Sequence, residues 1–258
     1  VTGYQYIALE QVGRVATLTF NRPEALNALH TEMLSEIIHA LDRVRDEKVA
    51  RVLLMTGAGR AFSSGADLAA GTSNDLGAKV EAYYNPILER LFALPIPFIT
   101  AINGPAVGAG CALALAGDIV LAARSAYFLQ AFINIGLVPD AGTSWLLPRA
   151  IGRARAQAMM MLGERIGAET AEAWGMIYRT VDDAALPAEA NALAAKLAGG
   201  PTRAYALIRH GLRFSLDHSL SETLQAERNH QMIAGHSQDF REGVAAFREK
   251  RPALFTGC

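Results

Sequence analysis

The stretch INGPAVGAGCALALAGDIVLAA (102–123) decides the fold. Its first residues end a buried apolar strand, FITAIN (98–103). VGAGCALALAG (107–117) reads as a helix of small residues, and DIVLAA (118–123) as the next buried strand. Strand, tight turn, helix and strand again make one unit of an α/β protein. Upstream, RVLLMT (51–56) is another buried strand, closed by Gly57-Ala58-Gly59, and 75–94 reads as a helix. Residues 31–46 place Met33, Leu34, Ile37, Ile38, Leu41 and Val44 at helical spacing, with Thr31 as the expected N-cap. Residues 4–9 and 13–20 alternate around Gly13 and predict a hairpin.

Beyond 150 the strand signal nearly vanishes. RARAQAMMMLG, AEANALAAKLAG, TRAYALIRHGL, ETLQAERNHQMIAG and REGVAAFREK all have helical character. Gly199-Gly200-Pro201 marks a boundary, so the expected organisation is an α/β core over 1–200 and a helical region over 201–258. Strands alternating with helices from about 50 to 130 imply ββα or βαβ units and a largely parallel sheet.

Composition bounds the function. The chain has 258 residues and a formal net charge of −1. No basic field exists to hold a nucleic acid or an anionic membrane. The apolar run Leu91–Ala123 is interrupted by Pro95, Pro97, Asn103, Pro105 and Asp118, too often for a membrane span. Two cysteines, Cys111 and Cys258, and an opening Val1-Thr2-Gly3-Tyr4 without signal-peptide character set the expectation of a cytoplasmic protein. The six histidines have no metal-like spacing, and no metal site is expected. Cys111 reads as a small core residue.

Two small-residue turns carry the chemistry: RAFSSGADL (60–68) and the turn inside 102–118. Each follows a strand and opens a helix. Helix starts present unpaired N–H groups, and glycine lets a ligand approach the backbone. Two such turns can aim two amides at one oxygen, which is an oxyanion hole. Tight helix–strand packing of small residues would need the same composition. No dinucleotide fingerprint, phosphate loop or nucleophile elbow is present.

With these turns the chain resembles the crotonase, or enoyl-CoA hydratase/isomerase, superfamily. The matching stretches are NRPEALNAL (21–29), RAFSSGADL, INGPAVGAGCALALAGDIVLAA, GLVPDAGTSWLLPRAIGRARA (136–156) and EGVAAFREKRPALF (242–255), in family order. Within it, YNPILERL (84–91), GLVPDAGTSWLLPRAIGRARA, EAWGMIYRTVDD (172–183) and EGVAAFREKRPALFTG (242–257) resemble the ring 1,2-epoxyphenylacetyl-CoA isomerases. The resemblance implies a spiral of ββα units with a helical C-terminal region, and trimers often paired into hexamers. It implies an acyl-CoA substrate, with coenzyme A entering as part of that substrate and no separate cofactor.

Residue by residue, the resemblance assigns the oxyanion amides to Ser64 and Ala109. It puts Ala61, Ala66 and Leu68 along the coenzyme A path, with Arg22, Ala25 and Leu26 nearby. Phe247 and Lys250 match a tail pair that meets adenine and phosphate, often from a neighbouring subunit. Hydratases of the family use two glutamates. Ala112 and Phe132 stand at those places here, and neither transfers a proton. Asp140 remains, where related isomerases place a catalytic aspartate, and an N-cap is its plainer reading. Tyr83, Tyr84, Phe128, Phe132 and Trp145 are candidates to shape an acyl pocket, or plain core. Asp67 is expected to cap a helix and Asp118 to order a helix-to-strand turn.

The expected activity is acyl-CoA isomerisation. Enoyl-CoA hydration and non-catalytic acyl-CoA binding are the alternatives. A serine peptidase on the related spiral fold is disfavoured, because the strand-rich half holds only His30 and His39.

Overall fold

The computed structural model describes residues 3–69 and 75–258; Val1 and Thr2 of the opening stretch lie outside the described residues. The hairpin forms as β1 (Ile7–Val12) and β2 (Val15–Phe20), paired antiparallel across a turn at Gly13. The helix α1 (Thr31–Glu47) follows, burying Met33, Leu34, Ile37, Ala40, Leu41 and Val44. Its N-cap is His30, extended and without a side-chain cap, and Thr31 is the first helical residue. The expected Thr31 cap is therefore displaced by one position.

The strand β3 (Val52–Gly57) joins β2 in parallel register. The helix expected over 75–94 forms in three joined pieces: α2 (Leu76–Lys79), a π-helical turn (Val80–Tyr84) and α3 (Asn85–Ala93). Pro86 explains the widened turn. A proline inside a helix lacks an N–H and crowds the preceding turn. Here Asn85 N–H reaches back to Val80 C=O instead, and the chain stays helical.

The strands β4 (Phe98–Ile102) and β5 (Ala106–Val107) lead to α4 (Ala109–Leu115), and β6 (Ile119–Ala123) and β7 (Tyr127–Leu129) lead to α5 (Thr143–Leu162). Then come β8 (Arg165–Gly167), α6 (Ala168–Ala173), β9 (Arg179–Val181) and α7 (Leu186–Ala198). The larger sheet runs β1-β2-β3-β4-β6-β9 and the smaller β5-β7-β8. One strand in the large sheet, one in the small sheet, then a helix is the unit formed by β4-β5-α4 and by β6-β7-α5, as expected of a ββα spiral. All neighbours in the large sheet beyond the first hairpin are parallel. Both faces of a parallel sheet need cover, and α7 lies across β2, β3, β4 and β6. β7, β8 and β9 are three residues each, too short to show a period in sequence.

The C-terminal region carries α8 (Thr202–Ser215), α9 (Leu220–Gly235) and α10 (Gln238–Glu249), followed by a non-helical end over 251–258. Ser219 and Glu222 make a reciprocal capping box that starts α9. Arg51 anchors the region to the core, its guanidinium reaching Thr202 Oγ1 (2.7 Å), Phe255 C=O (3.0 Å) and Gly200 C=O. Among the described residues no helix is long and apolar enough to cross a membrane.

Candidate active site

The first turn is built around Asn27. This side chain is fully buried and sits at φ 56°, a left-handed conformation that asparagine tolerates. Its amide donates to Ala58 C=O (3.0 Å) and Ala61 C=O (2.8 Å), and its Oδ1 accepts from Arg22 N–H (2.8 Å). Its own carbonyl accepts from Ser63 Oγ (2.8 Å). Four bonds from one residue fix the Arg22–Leu26 segment beside the 61–66 segment. Asn27 falls in a quoted motif, yet sequence reasoning gave it no role, because its partners are backbone atoms.

The second turn docks on the first. Ser63 and Ala106 form a parallel bridge, with Val107 N–H donating to Ser63 C=O (2.9 Å). At Gly110 an added Cβ would lie 2.7 Å from Ser63 Cβ and Ser63 O, so only glycine fits there. The two turns read from sequence are therefore in contact.

The amides separate the two expected oxyanion donors. Ser64 N–H donates to Leu26 C=O (2.9 Å), so it is already engaged. The assignment to Ser64 is corrected by that bond. Gly65, at φ 86°, turns the chain. Gly65 C=O then accepts from Leu29 N–H, and Asp67 N–H donates to Leu29 C=O. In that parallel bridge the N–H of Ala66 faces away from Leu29, and among the described residues it has no acceptor. Ala109 opens α4, and its N–H likewise has no acceptor there. A Cβ at Gly65 would lie 3.6 Å from Ala109 N, which places the Gly65–Ala66 peptide beside that amide. The free pair is Ala66 and Ala109.

The other expected binding residues divide. Ala25 and Leu26 are half-buried and flank Ser64, whose Oγ reaches Ala25 C=O (3.4 Å). Arg22 also belongs to this edge, paired with Asp67 (2.5 Å) and bonded to Ala28 C=O (3.2 Å). Asp67 is an ion-pair partner whose Oδ1 also accepts from Ala69 N–H (2.9 Å), and the helix described after it, α2, is capped by Asp75. Ala66 and Leu68 are exposed. Ala61 is 1% exposed, with its carbonyl taken by Asn27 and Asn103, so it lines no open path and that expectation is corrected. Phe247, 86% exposed, and Lys250 stand at the far end of α10. Asp118 orders its turn as expected, accepting from Phe98 N–H (2.7 Å).

A third segment, Leu129–Asp140, closes over the second turn. Gly108 N–H donates to Leu129 C=O (2.8 Å), and the Phe132 ring lies within 3.8 Å of where a Gly108 Cβ would stand. Ala112 and Phe132 are both buried, so the neighbourhood of Ala109 is apolar where two glutamates would make it acidic. Leu137 N–H returns to Phe132 C=O (2.9 Å), and the chain reaches Asp140. Asp140 is not the N-cap of α5; Gly142 holds that place, in a left-handed conformation. Asp140 is half-buried, and its Oδ1 is buried without a partner among the described residues. Burial pushes its carboxyl up to about 6, against a backbone hydrogen bond and the charge of Lys79, which both hold it down.

Of the aromatics, Tyr84 is buried near this aspartate: burial, then the Asp140 charge, raise its phenol above the ordinary value. Phe128 is core. Trp145 packs edge-on against Phe92 (6.0 Å) under the Arg149 guanidinium (4.3 Å), a packing role. Cys111 is buried, and burial pushes its thiol up to about 12, so it is no nucleophile.

Comparison with known proteins gives the family. The enoyl-CoA hydratase/isomerase family model matches residues 10–257. The chain is 48% identical over 249 residues to the 1,2-epoxyphenylacetyl-CoA isomerase of Escherichia coli K12, covering 94% of this chain and 95% of that protein. It is 45% identical to a probable enoyl-CoA hydratase of Rhodobacter capsulatus, covering 98% and 99% respectively. A solved enoyl-CoA hydratase/isomerase from Mycobacterium abscessus superposes with a TM-score of 0.93 at 39% identity, over 98% of this chain and all (100%) of that one. With its two docked turns, its ββα spiral and these relatives, the chain belongs to the enoyl-CoA hydratase/isomerase family.

Proposed function

We propose that the chain is an acyl-CoA isomerase whose thioester oxygen is held by the amides of Ala66 and Ala109. The carrying observation is a single acid, Asp140, raised to about 6 at a site where Ala112 and Phe132 offer no other proton carrier. Amide donors aimed at the oxygen stabilise the enolate that forms when a proton leaves C2. Asp140 takes that proton, the double bond moves from C3–C4 to C2–C3, and the proton returns at C4. In a ring-epoxide substrate the same enolate supports rearrangement of the ring. An acid tuned near neutrality serves both halves of such a transfer. The similarity to the E. coli 1,2-epoxyphenylacetyl-CoA isomerase supports an arylacetyl substrate.

The tail supports self-association into a trimer or hexamer. Leu212, Leu216, Leu220, Leu224, Met232 and Phe240 are all about half exposed or more, an apolar surface for another copy to cover. Phe247 and Lys250 would then meet the coenzyme A of a neighbouring subunit.

The test is Asp140→Asn assayed on a 3-enoyl-CoA. Loss of about a hundredfold or more in kcat is expected. The parent rate in that variant overturns the reading. Rapid water addition to crotonyl-CoA by the parent would make it a hydratase, and absent C2 deuterium exchange a binding protein.

A further inference from the structure

Tyr84 stands at the end of the π-helical turn, 2% exposed, and its hydroxyl has no partner among the described residues. A buried phenol normally finds an acceptor, because an unpaired hydroxyl is costly. One helical turn later, Leu88 lies 3.9 Å from where a Gly142 Cβ would stand. The Tyr84–Leu88 face of the helix therefore runs along the Asp140–Thr143 turn. That turn carries two more buried polar atoms without partners, Asp140 Oδ1 and Thr143 Oγ1. Thr143 is itself 2% exposed.

The pattern is informative. A tyrosine that only positioned Asp140 would donate its hydroxyl to the carboxylate, and neither atom would be left over. Both are left over, so neither satisfies the other, and three unpartnered buried polar atoms lie on two adjoining segments. The burial that keeps the Tyr84 phenol protonated keeps it a donor. An alkyl or plain aryl group placed there would leave all three atoms unsatisfied.

We propose that Tyr84 is a specificity-determining donor that recognises an oxygen substituent on the acyl group, next to the carbons that Asp140 serves. The inference rests on the isomerase reading and deepens it: the preferred substrates are arylacetyl thioesters oxygenated on the ring, beside the side chain. An epoxide oxygen accepts from Tyr84 and leaves Asp140 free for the proton. A ring hydroxyl accepts from Tyr84 and donates to Asp140.

Two stable thioesters test it, 2-hydroxyphenylacetyl-CoA and phenylacetyl-CoA, titrated calorimetrically at pH 7.5 into the parent and into Tyr84→Phe. The parent is expected to favour the hydroxylated ligand by about tenfold, as a site built to bond a hydroxyl rejects its absence. In Tyr84→Phe that ratio falls towards one. A parent without preference, or a variant that keeps the parent's ratio, overturns the proposal. Should the variant not fold, the parent's ratio still decides, since a value of one overturns it. The ratio needs no turnover. An Asp140→Asn enzyme with full isomerase rate therefore sinks the catalytic reading alone, whereas failure of both ligands to bind sinks both.

Discussion

A Cβ added to Gly65 would stand 2.6 Å from the Val107 carbonyl oxygen, the point where the two turns of the active site meet. Gly65 also sits at φ 86°, which disfavours any side chain. Gly65→Ala must therefore push the turns apart or retwist the peptide that carries the Ala66 amide. Loss of one well-placed oxyanion donor costs about 2.7–4 kcal/mol of barrier. The expected outcome is a fall in kcat of about a hundredfold or more, with a lower Tm, read by isomerase assay and thermal melting.

Ala109 offers a cleaner removal. It is the first residue of α4, where proline is accommodated because no intrahelical bond is lost. Gly108 before it tolerates the conformation that proline imposes. Ala109→Pro is expected to keep the circular dichroism of the parent and to lose about a hundredfold or more in kcat. A variant with parental kcat would remove Ala109 from the oxygen site.

The raised carboxyl of Asp140 predicts an acid limb in the rate. As a base it must be ionised, so kcat/KM for isomerisation rises with pH to about 6 and levels above it. A limb near 4 would show that burial does not tune this group.

The same shift has a stability sign. The folded state binds the proton more tightly than the unfolded chain, whose aspartate titrates near 3.8. Ionising Asp140 thus destabilises the fold, beginning above pH about 4 and in full above about 6. Asp140→Asn is expected to be more stable than the parent at pH 8 by about 1–2 kcal/mol, after discounting for partial exposure, and equal to it near pH 4. Denaturant melts at the two pH values check this.

Arg209 ties the helical tail to α3. It is 7% exposed, bonds Leu91 C=O (2.9 Å) and Leu94 C=O, and brings Nε to 2.6 Å from Asp118 Oδ2. Asp118 is partly solvated, so removing Arg209 costs mainly its two carbonyl bonds, about 1–3 kcal/mol. Arg209→Met is expected to lower Tm by several degrees, with C2 exchange surviving at permissive temperature.

How much of this was legible in the sequence follows from how each residue acts. The strands β3, β4 and β6 announced themselves because both their faces are buried, which gives continuous apolar runs. The three-residue strands β7, β8 and β9 gave no signal, since their pairing is set by distant partners. Both turns were found from glycine spacing. Which amide of the first turn is free was not, because that depends on Leu26 and Leu29 accepting and donating across the bridge. Asn27 lies in a motif without a role in sequence, because it acts on carbonyls, and Tyr84 reads only as a candidate pocket aromatic, because the isolation of its hydroxyl appears only in three dimensions. Asp140 is implied by the resemblance, and its tuning by burial is seen only in the fold.

The donors at Ala66 and Ala109 belong to the main chain, so a substitution that fits the space and keeps the N–H leaves them in place. Drift in this lineage can then alter what is done to an activated thioester while the activation itself persists. Positions such as Ala112, Phe132, Asp140 and Tyr84 are where a laboratory selection for a new reaction on this scaffold should concentrate its diversity.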